Sequence, residues 1–296
     1  MADNIGVRPS TTSASVSVAT DDIGGVHYPV YKTGFGPDGS YSGVTQTLPL
    51  PSDSIMVNVA RGLVSGAQPY GSYGTRTTSG AESNMMLWPN GTFSIPSSSG
   101  VQMSLVSTNA ADDETGANIR TIEIHYLDVN LAQQSEILTL QGLTPVTTTA
   151  TDIRFINYMH VETFGTSAYA AGNITASNGG TTYSEIAIGQ LRCASSARMV
   201  PAGYKCYVAG AVAGAVSGTA SAGVVIQLVA SELDTSQYVD PLILFPHGGI
   251  GLQDASAAFN FPVPFPFSAG TVIGLSITTD KAAIIAGSWY GWIEPV

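Results

Sequence analysis

The sequence predicts an all-β protein: a jelly-roll-like β-sandwich over residues 101–296, an extended connector at 52–100, and an N-terminal arm and anchoring hairpin at 1–51. Three observations carry this expectation. Turn and strand formers dominate, with 33 Gly and 16 Pro beside abundant Ser and Thr. Charged residues make up 10% of the chain, against about 25% in ordinary domains, so the Glu, Lys and Arg that fill exposed helix faces are scarce. From Val101 onward, segments alternating apolar and polar recur about every ten residues with turn residues between them.

Taken in order, residues 1–20 are rich in Ser, Thr and Val and alternate at 14–18, which suits an arm that gains strand partners from a neighbour. Two extended pieces follow, joined by Gly24-Gly25, which reaches positive φ cheaply; Phe35 leads into a second turn, Gly36-Pro37-Asp38-Gly39. A ribbon this small buries no core of its own. It is expected to order on a partner, with Asp21, Asp22, Ile23, Gly24, Gly25, His27, Tyr28, Tyr31 and Phe35 as the anchoring residues. In the connector, Ile55-Met56-Val57-Asn58-Val59 reads as a strand and 66–83 as a loop rich in Gly, Ser, Thr and Tyr. Met85-Met86-Leu87-Trp88-Pro89 and Phe93-Ser94-Ile95-Pro96 read as apolar pegs that dock on something, and a loop this long is usually functional or intermolecular.

In the sandwich, strands are expected at 101–106 and 120–127, the latter turning at Asp128-Val129-Asn130 into a hairpin partner at 135–140. Further strands are expected at 153–164, 172–177, 196–200, 204–212, 223–229, 242–245, 259–264, 271–278 and 282–294, with one helical turn near 183–191. Residues 206–231 carry no charge and contain Gly210-Ala211-Val212-Ala213-Gly214-Ala215-Val216-Ser217-Gly218. Their length would allow a membrane span, but the apolar residues are mostly Ala and polar Ser and Thr lie centrally, so a hairpin is expected.

Ten Lys and Arg against 21 Asp and Glu give a net charge of −11 with no basic run, which argues against nucleic-acid binding. Cys193 and Cys206 flank a Pro201-Ala202-Gly203 turn. They are expected as two buried thiols, a cross-strand disulfide being the alternative. Met1-Ala2-Asp3-Asn4 opens no leader peptide, so cytosolic synthesis is expected.

No catalytic constellation emerges: there is no G-x-S-x-G, H-E-x-x-H, P-loop or C-x-x-C. No enzyme activity, cofactor or metal is expected. His27, His125, His160 and His247 read as structural, although His125 and His160 can fall on neighbouring strands. Asp112-Asp113-Glu114 and Asp21-Asp22 lack the alternating pattern of a calcium loop, and Asp113-Glu114-Thr115-Gly116 and Asp21-Asp22-Ile23-Gly24-Gly25 read as solvated turns. Phe259, Phe261, Phe265 and Phe267 share one face if extended, interleaved with prolines that confine the segment to a sheet edge. That stripe is either a packed sandwich corner or a subunit interface. Trp289, Tyr290 and Trp292 close the chain and, if exposed, would suit a sugar ring.

The run Ala19-Thr20-Asp21-Asp22-Ile23-Gly24-Gly25-Val26-His27-Tyr28-Pro29, with Pro49-Leu50-Pro51 after it, resembles the N-terminal segment of virion structural proteins of tailed bacteriophages. A second region is similar to the same proteins: Asp112-Asp113-Glu114-Thr115-Gly116-Ala117, the following Thr121-Ile122-Glu123-Ile124-His125-Tyr126-Leu127-Asp128, and Met199-Val200-Pro201-Ala202-Gly203. It departs at Tyr204, where the pattern more often has Lys. The resemblance implies a capsid decoration or cement protein, homotrimeric, on the outer surface of a virion and bound to the major capsid protein. The alternative is a head- or tail-fibre protein that uses the same anchor and a glycan-binding sandwich.

Overall fold

The computed structural model describes the backbone of residues 3–7, 16–23, 26–29, 34–35, 42–43, 55–216, 223–231, 250–251 and 255–296, with side chains within 55–216, 223–231 and 256–296. The chain divides into two units, Met1–Asn58 and Val59–Val296. In the first, β1 (Asp3–Val7), β2 (Val16–Ile23) and β3 (Val26–Pro29) form an antiparallel sheet in chain order. Ile23 pairs with Val26 at the end of the β2–β3 ladder, and Gly24-Gly25 between them lie outside the described residues. A two-residue ladder joins β4 (Gly34–Phe35) to β5 (Ser42–Gly43).

Helix α1 (Ile55–Ala60) stands where a strand was expected. Its end explains the difference: Gly62, at φ 70°, donates its N–H to the Val59 carbonyl at 3.0 Å. This is the left-handed glycine that closes a helix.

In the second unit the strands run β6 (Gln68–Thr77), β7 (Glu82–Met86), β8 (Ser104–Ser107), β9 (Ile119–Leu127), β10 (Gln133–Thr139), β11 (Val146–Thr147), β12 (Phe155–Phe164), β13 (Ile174–Asn178), β14 (Thr181–Ile186), β15 (Arg198–Met199), β16 (Tyr204–Val216), β17 (Gly223–Ser231), β18 (Ile250–Gly251), β19 (Ala255–Phe267), β20 (Val272–Thr279) and β21 (Ile284–Pro295). They build two sandwiches. The first pairs the sheet β19-β16-β21-β6 with a sheet centred on β20, which carries β7, β15 and β17. Leu87, Val208, Leu228, Leu275, Ile285 and Trp289 fill the space between them. The second, inserted in the chain between β7 and β15, stacks β10-β9-β12 on β11-β8-β13-β14 around Met103, Leu105, Ile122, Ile124, Met159 and Ile174. Each such fully buried aliphatic side chain contributes about 1.5–3 kcal/mol. A third cluster, with Trp88, Leu127, Phe155 and Met199, joins the two. Trp88 meets Phe93 edge-on at 5.6 Å, so both apolar pegs dock inside the molecule.

The class is all-β, as the composition predicts, but several elements differ from expectation. Residues 52–100, set apart as a connector, contain β6 and β7. Strand β6 pairs with β21 over ten residues, Gln68 opposite Ile293 to Thr77 opposite Ile284. Its glycines, which made it read as a loop, answer a packing need: a Cβ on Gly74 would lie 2.2 Å from the Leu87 carbonyl oxygen and 2.6 Å from the Ser196 nitrogen. Residues 101–296 contribute to both sandwiches rather than one.

The hairpin expected at 206–231 is not formed. Strand β16 runs through most of the small-residue run, as far as Val216, and lies in a different sheet from β17, β16 between β19 and β21, β17 between β18 and β20. Val208 pairs with Gly291 and Gly210 with Tyr290, so Ala209 is an extra residue that switches the strand's parity. Cys206 and Val208 are buried before it, Ala211, Ala213 and Ala215 after it. Where a helical turn was expected near 183–191, β14 runs to Ile186 and a single tight turn follows, the Gln190 N–H donating to the Ala187 carbonyl at 3.0 Å. Asn178 pairs with Thr181, leaving Gly179 and Gly180, at φ 57° and 82°, as a two-residue hairpin turn.

Candidate functional site

The exposed face of β10-β9-β12 gathers most of the chemistry on the described surface. Alternation on β9 buries Ile122, Ile124 and Tyr126 and turns Glu123 and His125 outward. On the neighbouring β12, Tyr158, His160 and Glu162 face the same way, with Tyr158 opposite His125 and His160 opposite Glu123. The rings of His125 and His160 stack 5.4 Å apart at 12°, and Tyr158 stacks on His160 at 5.3 Å. Glu123 Oε2 lies 3.4 Å from His125 Nε2 and 3.5 Å from His160 Nε2, and Glu162 Oε2 lies 3.6 Å from His160 Nε2.

This face runs into hollows between the two sandwiches. Arg198 of β15 places its guanidinium 5.1 Å from the centre of the Tyr70 ring and 5.7 Å from that of Tyr158, an arrangement favoured by the ring quadrupoles. Its buried Nε has no hydrogen-bond partner among the described residues. Tyr70 donates to the Met199 carbonyl at 2.6 Å, and burial holds its hydroxyl well above the usual phenol range, against the opposing pull of Arg198. One hollow, of about 620 Å³, is lined by His125, Gln133, Gln134, Ser135 and Asn157. Another, of about 300 Å³, is lined by Ser72, Tyr73, Arg192 and Tyr290, and the two share Tyr158 and Arg198. Amide, hydroxyl and guanidinium groups beside flat rings suit a polar ligand; neither lining holds a carboxylate pair.

Of the residues singled out in the sequence, Asp21, Asp22 and Ile23 fall in β2, His27 and Tyr28 in β3, and Phe35 in β4. Their side chains, with Gly24, Gly25 and Tyr31, lie outside the described residues. Phe259, Phe261, Phe265 and Phe267 fall on β19, at the edge of its sheet. They do not form one stripe. Val208 pairs with Phe265 and Gly210 with Asn260, so 261–264 bulge out. Phe267 is buried in the first core, Phe261 and Phe265 meet edge-on at 4.8 Å against it, and Val263 at the tip is 76% exposed.

The closing aromatics are mostly core. Trp289 is buried and donates Nε1–H to the Ser196 carbonyl at 2.7 Å, and Trp292 is buried with its ring stacked on Tyr207. Cys193 and Cys206 are free and buried in different cores. Burial raises both thiols, Cys206 up to about 12 despite the opposing pull of Arg198.

Asp112 lies just before the turn expected at 113–116. It is fully buried, and its carboxylate accepts from the Ser107 hydroxyl at 2.6 Å and from the N–H groups of Ile119, Ala171 and Gly172 at 3.2, 3.0 and 3.0 Å. Asp113 does make a turn, accepting from the Thr115 N–H at 3.0 Å.

The sequence allows His125 and His160 to fall on neighbouring strands without bringing them together, and its reading passed over Glu123 and Glu162. The signal was present: E-x-H at 123–125 and H-x-E at 160–162 put two polar ligand types on one face of each strand.

The chain matches no protein-family model and no curated protein. Among solved structures it matches a mutant VP2 protein of infectious bursal disease virus from T=1 particles, at 10% identity and a TM-score of 0.22, covering 82% of this chain and 75% of that one. It also matches the VP2 subviral particle of the same virus, at 8% identity and a TM-score of 0.20, covering 79% and 78%. At these TM-scores the likeness carries no argument about fold or function.

Proposed function

We propose that this chain is a non-enzymatic structural protein of a virus particle, acting as a decoration or cement protein on the outside of a tailed-phage capsid. The observation that carries this reading is the division of the chain. Met1–Asn58 is a unit distinct from Val59–Val296, its described strands forming a three-stranded antiparallel sheet and a two-residue ladder, and it contains the segment whose wording resembles phage virion proteins. Three strands are the smallest sheet that stands alone in water, so docking on a partner would add stability, and the major capsid protein is the partner we assign to it. Strand addition and surface contact would then offset the cost of ordering the arm, and repetition over the shell would turn weak contacts into lasting ones.

The sandwiches, which we read as jelly-roll-like, would face outward, a reading that the net charge of −11 supports. Symmetry-related copies, three in our reading, would meet through the β19 bulge, where Val263 projects and Phe261 and Phe265 back it. Prolines at 262, 264 and 266 remove strand-pairing donors there, so the contact would run through side chains.

A fibre or receptor-binding role is the second reading, favoured by the hollows that share Tyr158 and Arg198. Deleting the protein from particles separates the two. Cementing predicts genome release at lower temperature, restored by adding the full chain back. Unchanged heat release with lost adsorption to cells would select the fibre reading.

A further inference from the structure

We propose that Glu123, His125 and His160 form a Zn²⁺ site on the exposed face of the β10-β9-β12 sheet, with Glu162 in reach of the fourth position. The register builds it. On antiparallel neighbours, E-x-H on β9 and H-x-E on β12 bring two imidazoles and two carboxylates to one face, His160 directly across from Glu123. One ligand atom from each of Glu123, His125 and His160 lies within 4.8 Å of the other two.

The distances favour a shared ion over direct pairing. Glu123 Oε2 is 3.4 Å from one Nε2 and 3.5 Å from the other, longer than the roughly 2.7–3.2 Å of an N–H···O bond. Tetrahedral Zn²⁺ with bonds of about 2.0–2.1 Å sets its ligand atoms about 3.3 Å apart along each edge. Two edges are therefore in place, and so nearly is the 3.6 Å separation between Glu162 Oε2 and His160 Nε2. The remaining imidazole–imidazole edge closes by rotation of side chains that are 42% and 27% exposed.

Tyr158 stacks on His160 and holds that ring, while the near-parallel His125 ring, the more exposed of the two, tilts so that both in-plane Nε2 lone pairs meet at one ion. His160 Nδ1 is buried without a hydrogen-bond partner among the described residues, so the ring is not committed to a network that a metal would have to break. Two imidazoles with carboxylate select Zn²⁺ over Ca²⁺ or Mg²⁺, which take oxygen ligands. The bound ion would clip β9 to β12.

The test titrates ZnCl₂ into chelator-stripped, full-length protein by calorimetry, with Co²⁺ absorption reporting geometry. One Zn²⁺ per chain and a tetrahedral Co²⁺ spectrum are expected. His125→Ala and His160→Ala should each weaken binding more than about 100-fold, beyond the 10–100-fold that an outer-shell partner costs. If those variants fail to fold, the wild-type chain suffices: Zn²⁺ should block diethylpyrocarbonate modification of His125 and His160, read by mass spectrometry. No saturable binding, binding that persists in the folded double variant, or modification of both histidines undiminished by Zn²⁺ would overturn the site.

Discussion

Replacing Asp112 with alanine removes the acceptor for four hydrogen bonds in a place water does not reach. The Asp112 carboxylate ties Ser107 at the end of β8 to Ile119 at the start of β9 and to the 171–172 segment before β13. It thereby holds both sheets of the second sandwich at one end. Without it, the Ser107 hydroxyl and the Ile119 and Gly172 N–H groups, all in buried bonds, lose their partner at about 1–3 kcal/mol each. Set against the several kcal/mol released by no longer burying a charge, D112A should cost about 4 kcal/mol. D112N should cost about 2 kcal/mol: its oxygen keeps the Ile119 and Ala171 bonds and the Ser107 hydroxyl can reverse, but its NH₂ meets the Gly172 N–H donor to donor.

The assay is hydrogen exchange at Ile119 and Gly172, with a circular-dichroism melt for the whole chain. None of the three tryptophans belongs to the second core, so their fluorescence follows the rest of the molecule. Unchanged protection in D112A, or a D112N as stable as the wild type, would refute the reasoning. The second result would mean that desolvation of the carboxylate outweighs its bonds.

Other expected outcomes follow from the same geometry. Gly74→Ala should destabilise by about 3 kcal/mol in a denaturant melt, because the clash is with backbone on both sides, while Gly80→Ala, with open space around it, should be neutral. In the native protein neither thiol should react with an alkylating reagent near neutral pH, and both should react after denaturation, as mass spectrometry can count. Because burial holds Cys206 up to about 12 against an ordinary value of 9.0, the unfolded chain loses that proton first. Stability should be level below pH 9 and fall above it, by up to about 1.4 kcal/mol per pH unit from this thiol, seen as a falling denaturant midpoint. Val263→Asp should shift the chain to smaller species in sedimentation, and an unshifted profile would remove the β19 bulge from any subunit contact.

What was legible in the sequence is what is local. The β9–β10 hairpin follows from strict alternation and from Asp128, whose Oδ1 accepts from the N–H groups of Asn130 at 2.8 Å and Ala132 at 3.0 Å, the side-chain turn that Asp favours. Strands β20 and β21 were equally plain. Illegible features depend on distant partners. Nothing within 206–231 says that its two strands join opposite sheets, since that is settled by pairing with β19, β20 and β21. The glycines of β6 look like loop residues until Leu87 and Ser196 are seen pressing on Gly74. The aromatic stripe at 259–267 was read from an ideal period of two, which the bulge at 261–264 breaks. The Glu123, His125 and His160 trio was half visible; its missing part was the register that sets His160 across from Glu123.

In the proposed role Met1–Asn58 holds this protein on a viral shell, and co-sedimentation with particles stripped of it is the decisive measurement. The full chain should bind saturably, at a fixed number of copies per capsid subunit, and residues 59–296 should not bind, although these carry both sandwich cores. Equal binding by the two, or no binding by the full chain, would contradict that role.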